Sequence, residues 1–145
     1  MSNYNFFDHT ADLGVEISGR TKKELFANAA CALFGVLIEN IKNNGRTTRE
    51  RKGRYKIITV DGADAADLLI NFLREMLYLF NGENWVVGKC EIIKCGNKKL
   101  VAQLMGEPYN NRKHLIKTEI KAVTYSGAKV EKLKTSWRAR VIFDV

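Results

Sequence analysis

The residues best suited to chemistry are acids near the two ends of the chain. The polar segment 8–12 reads Asp-His-Thr-Ala-Asp and precedes the run 13–18, in which apolar and other residues alternate. That period of two predicts a strand with one buried face, so the polar segment is predicted to form a turn or bulge where the strand enters the core. Asp12 lies at this boundary, and Asp144 and Val145 follow an apolar run at the other end.

These acids could form one cluster of oxygen ligands. If Asp12, Asp144 and the terminal carboxylate of Val145 meet in space, the cluster would suit a hard cation such as Ca²⁺ or Mg²⁺. Without a cation, three such negative charges would repel one another. Two simpler interpretations stay open. In the first, Asp8, Thr10 and Asp12 do no more than satisfy backbone groups of a turn. In the second, the C-terminus frays.

Other catalytic or metal-binding patterns are weak. Cys90 and Cys95 are closely spaced, but a zinc site usually needs two such pairs, and the remaining candidates are Cys31, His9 and His114. A Cys–His nucleophile pair or a metal-dependent hydrolase is supported only by the presence of these residue types, without a local motif. Neither a glycine-rich phosphate loop nor a Gly-x-Ser-x-Gly turn is present. These classes are therefore disfavoured.

Length and composition are those of an ordinary globular protein. The 145 residues predict a single domain, 1–145, and the apolar share is 46% with 28% charged residues. No run approaches the roughly 18 apolar residues of a membrane span. We see no charged and then apolar leader, and three cysteines without a framework spacing indicate a reducing compartment. We therefore expect a cytoplasmic protein without a membrane partner.

Basic residues exceed acidic ones by 24 to 16, which gives a net charge of +8. The excess is concentrated in segments 46–56 and 112–140. Such a surface favours polyanionic partners or an acidic protein face, so the alternative function is an RNA-binding or RNA-chaperone module. A solubilising charge surplus explains the excess equally well. The lack of an aromatic-interleaved RNA motif counts against the RNA alternative.

Two segments have helical periodicity. Thr21 and Glu24 form a capping box ahead of apolar residues at helical spacing, which predicts a helix over 22–38. Asp64 is the predicted N-cap of a second helix over 65–80, whose apolar stripe is wide. Both helices are expected to be amphipathic and to bury one face.

Strand patterns occupy most of the remaining sequence. Asn81-Gly82 is predicted to end the second helix, Gly96-Asn97 to turn a hairpin, and Ser126-Gly127 to break a strand. The predicted strands are 13–18, 55–60, 85–95, 99–105, 117–125, 129–133 and 137–143. The order β-α-β-α-β-β-β-β-β predicts an α+β fold, with two amphipathic helices packed on one face of mainly antiparallel β-sheet. We find no internal repeat.

Several blocks of the sequence together resemble the archease family. They span essentially the whole chain, in the order and at the spacing of that family. The blocks are His9–Gly14, the helix 21–37 with its Ala-Ala-Cys-Ala-Leu-Phe core, 67–73 with 77–80, Gly106-Glu107-Pro108, 117–125 and 137–145. The resemblance implies an archease-like fold.

The same resemblance implies a function. Archease-like proteins are small cytoplasmic accessory proteins, not enzymes, that assist the GTP- and metal-dependent RNA ligase which joins tRNA exon halves. They are thought to promote the guanylylated intermediate of that ligase and so allow multiple turnover. The family's metal site maps onto Asp12, Asp144 and Val145, and Ca²⁺ is its usual occupant. This chain has Ser126 where the family often has His, and it ends in Asp-Val where many members end in Asp-Ile.

Overall fold

The computed structural model describes residues 4–9, 12–40 and 54–145. Within them the chain forms nine strands and two helices. Their order is β1 Tyr4–His9, β2 Asp12–Gly19, α1 Lys22–Leu37, β3 Ile38–Asn40, β4 Arg54–Asp61, α2 Ala65–Glu83, β5 Trp85–Cys95, β6 Lys99–Pro108, β7 His114–Ile116, β8 Ala122–Lys132 and β9 Trp137–Asp144. Neither helix is long and apolar enough to span a membrane, as judged over these residues.

The strands pair in an antiparallel manner within three sheets. Their orders are β1-β2-β9-β8, β3-β7 and β4-β6-β5. Helix α1 packs against β2 and β5, and α2 packs against β8, β5 and β4, so each helix contacts both larger sheets. The α+β prediction with two helices on mainly antiparallel sheet is confirmed. The strands are divided among three sheets, a number that the sequence pattern did not predict.

Aromatic side chains join the two helices in the core. Phe26 of α1 and Phe72 of α2 are fully buried, and their ring centroids lie 6.1 Å apart. Phe143 of β9 is also fully buried, which fixes the strand that leads to Asp144. Burying a side chain of this size stabilises the fold by roughly 1.5–3 kcal/mol. The C-terminal strand is therefore firmly attached to the core.

Both helices begin with the same capping arrangement. The Thr21 hydroxyl accepts the backbone N–H of Glu24 at 3.0 Å, and the Asp64 carboxylate accepts that of Asp67 at 2.9 Å. In each helix, the acid of the first turn accepts the N–H of the residue before the cap. Each arrangement satisfies one N–H group that the first turn of the helix leaves unpaired, and also the N–H of the residue before the cap. The predicted starts of α1 and α2 are thus confirmed.

A glycine precedes each cap and lets the strand pass close to the helix. A Cβ atom on Gly19 would lie 2.6 Å from the backbone nitrogen of Leu25, and one on Gly62 would lie 2.5 Å from that of Leu68. The β2–α1 and β4–α2 connections therefore repeat one local construction. These connections do not produce an internal repeat in the sequence, because they share only three single residues: a glycine, a cap and a first-turn acid.

The predicted end of α2 is wrong. The helix continues through Gly82 to Glu83 and ends at Asn84, whose φ of 53° is left-handed. Gly82 lies inside the helix, where the Tyr78 ring occupies the space next to it, 2.5 Å from the position of a Cβ atom. Asparagine tolerates the left-handed conformation better than most residues, so it can terminate a helix in place of glycine.

Segment 117–133 differs most from its prediction. Lys117 donates its backbone N–H to Leu37 O at 2.8 Å, and no strand is formed until Ala122. Strand β8 then continues to Lys132, so the predicted break at Ser126-Gly127 is wrong. The β8–β9 register instead shifts between Thr124 and Lys129, and Gly127 has a φ of 69°. The glycine marks a bulge inside one strand, which explains why it was mistaken for a break.

Candidate functional site

Asp12 and Asp144 lie side by side at one end of the two central strands of the four-stranded sheet. Strand β2 begins at Asp12, β9 ends at Asp144, and the two residues are partners in the antiparallel register. Side chains at directly opposite positions project from the same face, with Cβ atoms roughly 4.5–5.5 Å apart. Both residues are half-buried. The structure therefore brings together the two acids that stand 132 positions apart in the sequence (144 minus 12).

Asp144 is held by strands on both sides. It pairs with Asp12 of β2 and with Ala122 of β8. Its main-chain oxygen accepts a hydrogen bond from the N–H of Lys121 at 2.7 Å, which ties the end of β9 to the residue before β8. Val145 follows directly and is 38% exposed. We call Asp12, Asp144 and Val145 the acidic edge.

Strand β1 also ends at the acidic edge. Asp8 pairs with Leu13 and His9 pairs with Asp12 in the β1–β2 register. The prediction that the whole polar segment forms a turn is therefore wrong for Asp8 and His9, which belong to a strand. Residues 10 and 11, including Thr10, lie outside the described residues. An edge strand has a single neighbour and needs no clean alternation, so its sequence pattern is weak.

The acidic edge has the donor chemistry of a hard-cation site. Two carboxylates at opposite positions, followed by the oxygens of Val145, match the oxygen ligands that Ca²⁺ and Mg²⁺ take. Like charges directly opposite one another destabilise a sheet, and a bound cation would offset that repulsion. In the part of the chain that the structure describes, no three His, Cys, Asp or Glu side chains form a metal-binding group. Metal binding by Asp12, Asp144 and Val145 stays a prediction.

The cysteines do not form an alternative reactive site. Burial raises the pKa of the Cys90 thiol to about 12, and burial also raises the pKa of Cys95. Cys31 is an exposed free thiol on α1. Since the thiolate is the form that acts as nucleophile and metal ligand, the surroundings of Cys90 and Cys95 disfavour both roles.

A polar cluster missed from the sequence ties α2 to β8 near the acidic edge. The Tyr125 hydroxyl donates to Asp67 Oδ1 at 2.8 Å, and the Arg74 guanidinium carbon lies 4.5 Å from the centre of the Tyr125 ring. Arg74 Nε also donates to Val123 O at 3.1 Å. Because Val123 follows the Ala122 partner of Asp144, the cluster braces the strand beside the acidic edge.

Hydrogen bonding shifts the two acidic groups of this cluster in opposite directions. The backbone N–H of Ala63 and the Tyr125 hydroxyl lower the pKa of Asp67. Because Asp67 accepts the hydrogen bond from the Tyr125 hydroxyl, it raises the pKa of Tyr125. The polar stripe Asp67, Asn71 and Arg74 along α2 was the available sequence signal. Its partner on β8 could not be identified from spacing.

A second missed cluster surrounds the buried residue His114. Nδ1 of His114 accepts the N–H of Asn110 at 2.9 Å, so Nε2 carries the proton that is shared with Glu107 Oε2 at 3.0 Å. Lys113 donates to the other Glu107 oxygen at 2.9 Å. Burial alone would raise the pKa of Glu107, but the bonds from Lys113 and His114 outweigh it and lower the pKa. With every polar atom of the ring satisfied, His114 is a structural residue that fixes the β6–β7 loop.

Comparison with known proteins gives matches over the full length. The model of the Archease protein family (MTH1598/TM1083) matches residues 4–145. The protein archease of Methanosarcina barkeri is 36% identical over 146 residues, covering 98% of this chain and 95% of that protein. The protein archease of Thermococcus kodakarensis is 37% identical over 149 residues, covering 100% of both chains.

Two solved structures share the fold. The solution structure of Methanobacterium thermoautotrophicum protein 1598 has a TM-score of 0.74 at 28% identity and covers 100% of both chains. The crystal structure of a Thermotoga maritima protein, described as an archease and "possible chaperone", has a TM-score of 0.65 at 25% identity. It covers 96% of this chain and 94% of its own. These matches confirm the resemblance seen in the sequence and the α+β fold.

Proposed function

The chain belongs to the archease family, and from that premise we propose that it is an accessory protein that activates the GTP-dependent RNA ligase of tRNA splicing. It promotes guanylylation of that ligase, allows multiple turnover and does not itself catalyse the joining of RNA. A family member described as a "possible chaperone" supports an accessory role. A ligase partner of this kind implies that the protein works in the cytoplasm.

The observation that carries the proposal is the pairing of Asp12 with Asp144. Main-chain pairing on both sides holds Asp144, and the buried Phe143 anchors the strand before it. Acidic ligands on paired strands need little reorganisation when a partner arrives, which is what positioning and electrostatic stabilisation require. The acidic edge therefore supplies prearranged oxygens at the end of the two central strands of the sheet.

Asp12, Asp144 and Val145 are the residues that would hold a divalent cation, with Ca²⁺ the first candidate. When bound, such a cation supplies Lewis acidity and neutralises negative charge on a nucleotide phosphate. The role of this chain's own residues is to orient their oxygens towards the nucleotide-binding cleft of the ligase. The bonds of Lys121 and Arg74 to neighbouring main-chain oxygens keep β8 and β9 in place while they do so.

A multiple-turnover ligation assay tests the proposal. The ligase from the same organism is supplied with GTP, a divalent metal and a molar excess of cleaved tRNA exon halves, with and without this protein. We expect at most about one product per ligase alone and several products per ligase when this protein is added. Equal product yields in the two reactions would contradict the proposed function.

A further inference from the structure

We infer that the end of the molecule opposite the acidic edge binds the phosphate backbone of single-stranded RNA. Strands β2 and β9 connect the two ends, because their register runs from Asp12 with Asp144 to Gly19 with Trp137. Seven residue steps at roughly 3.3 Å each separate the ends by about 23 Å. We call this second end the lysine end. It consists of Trp137, of Lys22 and Lys132 next to its ring, and of Lys23, Lys98 and Lys134 on the adjoining helix start and turns.

Two lysines from different elements converge on Trp137. The ammonium nitrogen of Lys22 lies 5.6 Å from the centre of the indole ring, and that of Lys132 lies 5.9 Å from it. Lys22 also donates to Gly96 O at 2.7 Å, which attaches the β5–β6 turn to the start of α1. The start of α1 therefore contacts both the β5–β6 turn and the Trp137 ring through Lys22, and β8 reaches the same ring through Lys132.

The remaining lysines of this end lie at the start of α1 and in the β5–β6 and β8–β9 turns. Lys23 follows Lys22 in the first turn of α1. Burial raises the pKa of Cys95, the last residue of β5, and the positive charges of both lysines lower it in part. Lys98 lies in the β5–β6 turn, and Lys134 lies in the β8–β9 turn. All three turn and helix-start lysines, Lys23, Lys98 and Lys134, are exposed.

The acids near the lysine end are paired with other groups and do not neutralise its lysines. Glu24 is occupied with capping α1, and Glu131 lies 3.7 Å from Lys129 and 3.5 Å from Arg138. Asp61 lies 3.8 Å from Lys99. Among residues 4–9, 12–40 and 54–145, no ion pair involves Lys23, Lys98, Lys132 or Lys134. The lysine end is therefore a concentrated positive surface.

The composition of this surface favours RNA over an acidic protein. Protein interfaces are depleted in lysine and centre on buried apolar anchors, whereas the β5–β6 and β8–β9 turns expose one large apolar side chain, Leu133, at 36%. Lysine ammonium groups bind phosphates as point charges without reading the bases. Sites that bind a single strand without reading its sequence combine a positive surface with aromatic rings, and the lysine end has one half-buried ring, Trp137, among its lysines.

The basic segment 46–56 does not support this site. Residues 46–53 lie outside the described residues, and Lys56 is engaged with Glu83 at 3.3 Å. The lysine end thus differs from the segment that suggested RNA binding in the sequence. It also lies away from the acidic edge, so one RNA and one protein partner could be bound together.

Fluorescence anisotropy of the full chain tests the inference. A fluorescein-labelled, mixed-sequence single-stranded RNA of 20 nucleotides is titrated with the wild-type protein at 50–250 mM salt. The test variant is the triple substitution Lys23→Gln, Lys98→Gln and Lys134→Gln. We expect it to weaken binding on the order of 10- to 100-fold at 0.1 M salt. The slope of log affinity against log salt should fall by about 2, which is roughly 0.7 for each of three lost contacts.

A charge-matched variant separates a local site from net charge. Arg112, Lys89 and Lys117 are exposed and lie outside the lysine end, so their triple substitution to Gln removes the same charge. We expect this control to bind within about threefold of wild type with an unchanged salt slope. Thermal unfolding of both variants checks that they are folded.

Four outcomes would overturn the inference. The first three are equal losses in the two triple variants, no binding of wild type to RNA at 50 mM salt, and tighter binding of a poly-glutamate peptide than of RNA. The third would assign the surface to an acidic protein. A matching duplex RNA in parallel shows whether single strands are preferred, and the fourth outcome, equal or tighter duplex binding, would contradict that preference. The assay contains no ligase, so its result is independent of the function proposed above.

Discussion

Asp12 and Asp144 face each other across β2 and β9, although they lie near opposite ends of the chain. Two carboxylates at opposite positions normally destabilise a strand pair by a few tenths of a kcal/mol to about 1 kcal/mol. The surrounding strands hold them there nevertheless, through the Ala122 pairing and the Lys121 N–H bond to Asp144 O. A fold that keeps like charges together in this way is suited to hold a cation or to present negative charge to a partner.

Removing one carboxylate should separate intrinsic stability from metal-linked stability. We expect Asp144→Asn to leave the melting temperature in EDTA unchanged or slightly higher, because one repulsion is lost. Wild type should gain stability from Ca²⁺, by about 2.7 kcal/mol at 100 times the Kd, and Asp144→Asn should lose most of that gain. Differential scanning calorimetry with EDTA or CaCl₂ measures both effects. A Ca²⁺-induced shift of the same size in the two proteins would contradict the site.

The Tyr125–Asp67 bond should make part of the stability depend on pH. The folded-state pKa of Asp67 is lowered, so its contribution is fully present above the unfolded pKa of about 3.9 and is lost as pH falls through the folded pKa. Tyr125→Phe should raise the pKa of Asp67 only in part, because the Ala63 N–H remains. Carbon-13 NMR titration of the Asp67 carboxyl measures this.

Tyr78→Phe is the control for that titration, since Tyr78 is 54% exposed on the same helix. Its effect on the pKa of Asp67 should be negligible. In urea unfolding, the stability lost in Tyr125→Phe should be larger at pH 6 than at pH 3. A loss that does not change between these pH values would mean that the hydroxyl does not act through the ionised carboxylate.

The glycine at the β4–α2 connection should be hard to replace. Gly62→Ala places a Cβ atom 2.5 Å from the backbone nitrogen of Leu68, which cannot move aside as a flexible side chain could. We expect a loss of about 1–3 kcal/mol in the free energy of unfolding, as for other overpacked sites. Gly88→Ala is the control, because its Cβ atom would lie 3.8 Å from Met105 O. A urea titration that finds equal stabilities for the two variants would contradict this packing argument.

Local signals predicted the starts of both helices and the strand that begins at Asp12. The caps Thr21 and Asp64 act through neighbouring residues, so their chemistry is visible in the sequence. The alternation over 13–18 likewise identified the strand that begins at Asp12. The single-domain organisation of residues 1–145 and the Ca²⁺ preference stay predictions.

Features that depend on distant partners could not be read in the same way. The bond between Asp67 and Tyr125 spans 58 residues, and neither residue marks the other in the sequence. The bulge at Gly127 resembles a strand end because both use a glycine with positive φ. Division of the strands into three sheets depends on how two helices contact both larger sheets, which is a property of tertiary packing.

Single-turnover guanylylation of the ligase tests the central claim most directly. The rate is measured with wild type, with Asp12→Asn and with Glu16→Gln, a control acid on the same strand whose carboxylate lies 3.8 Å from Arg140. We predict that Asp12→Asn slows guanylylation at least about tenfold, equivalent to about 1.4 kcal/mol, while Glu16→Gln stays within about twofold of wild type. A guanylylation rate with Asp12→Asn equal to that with wild type would contradict the claim that the acidic edge activates the ligase.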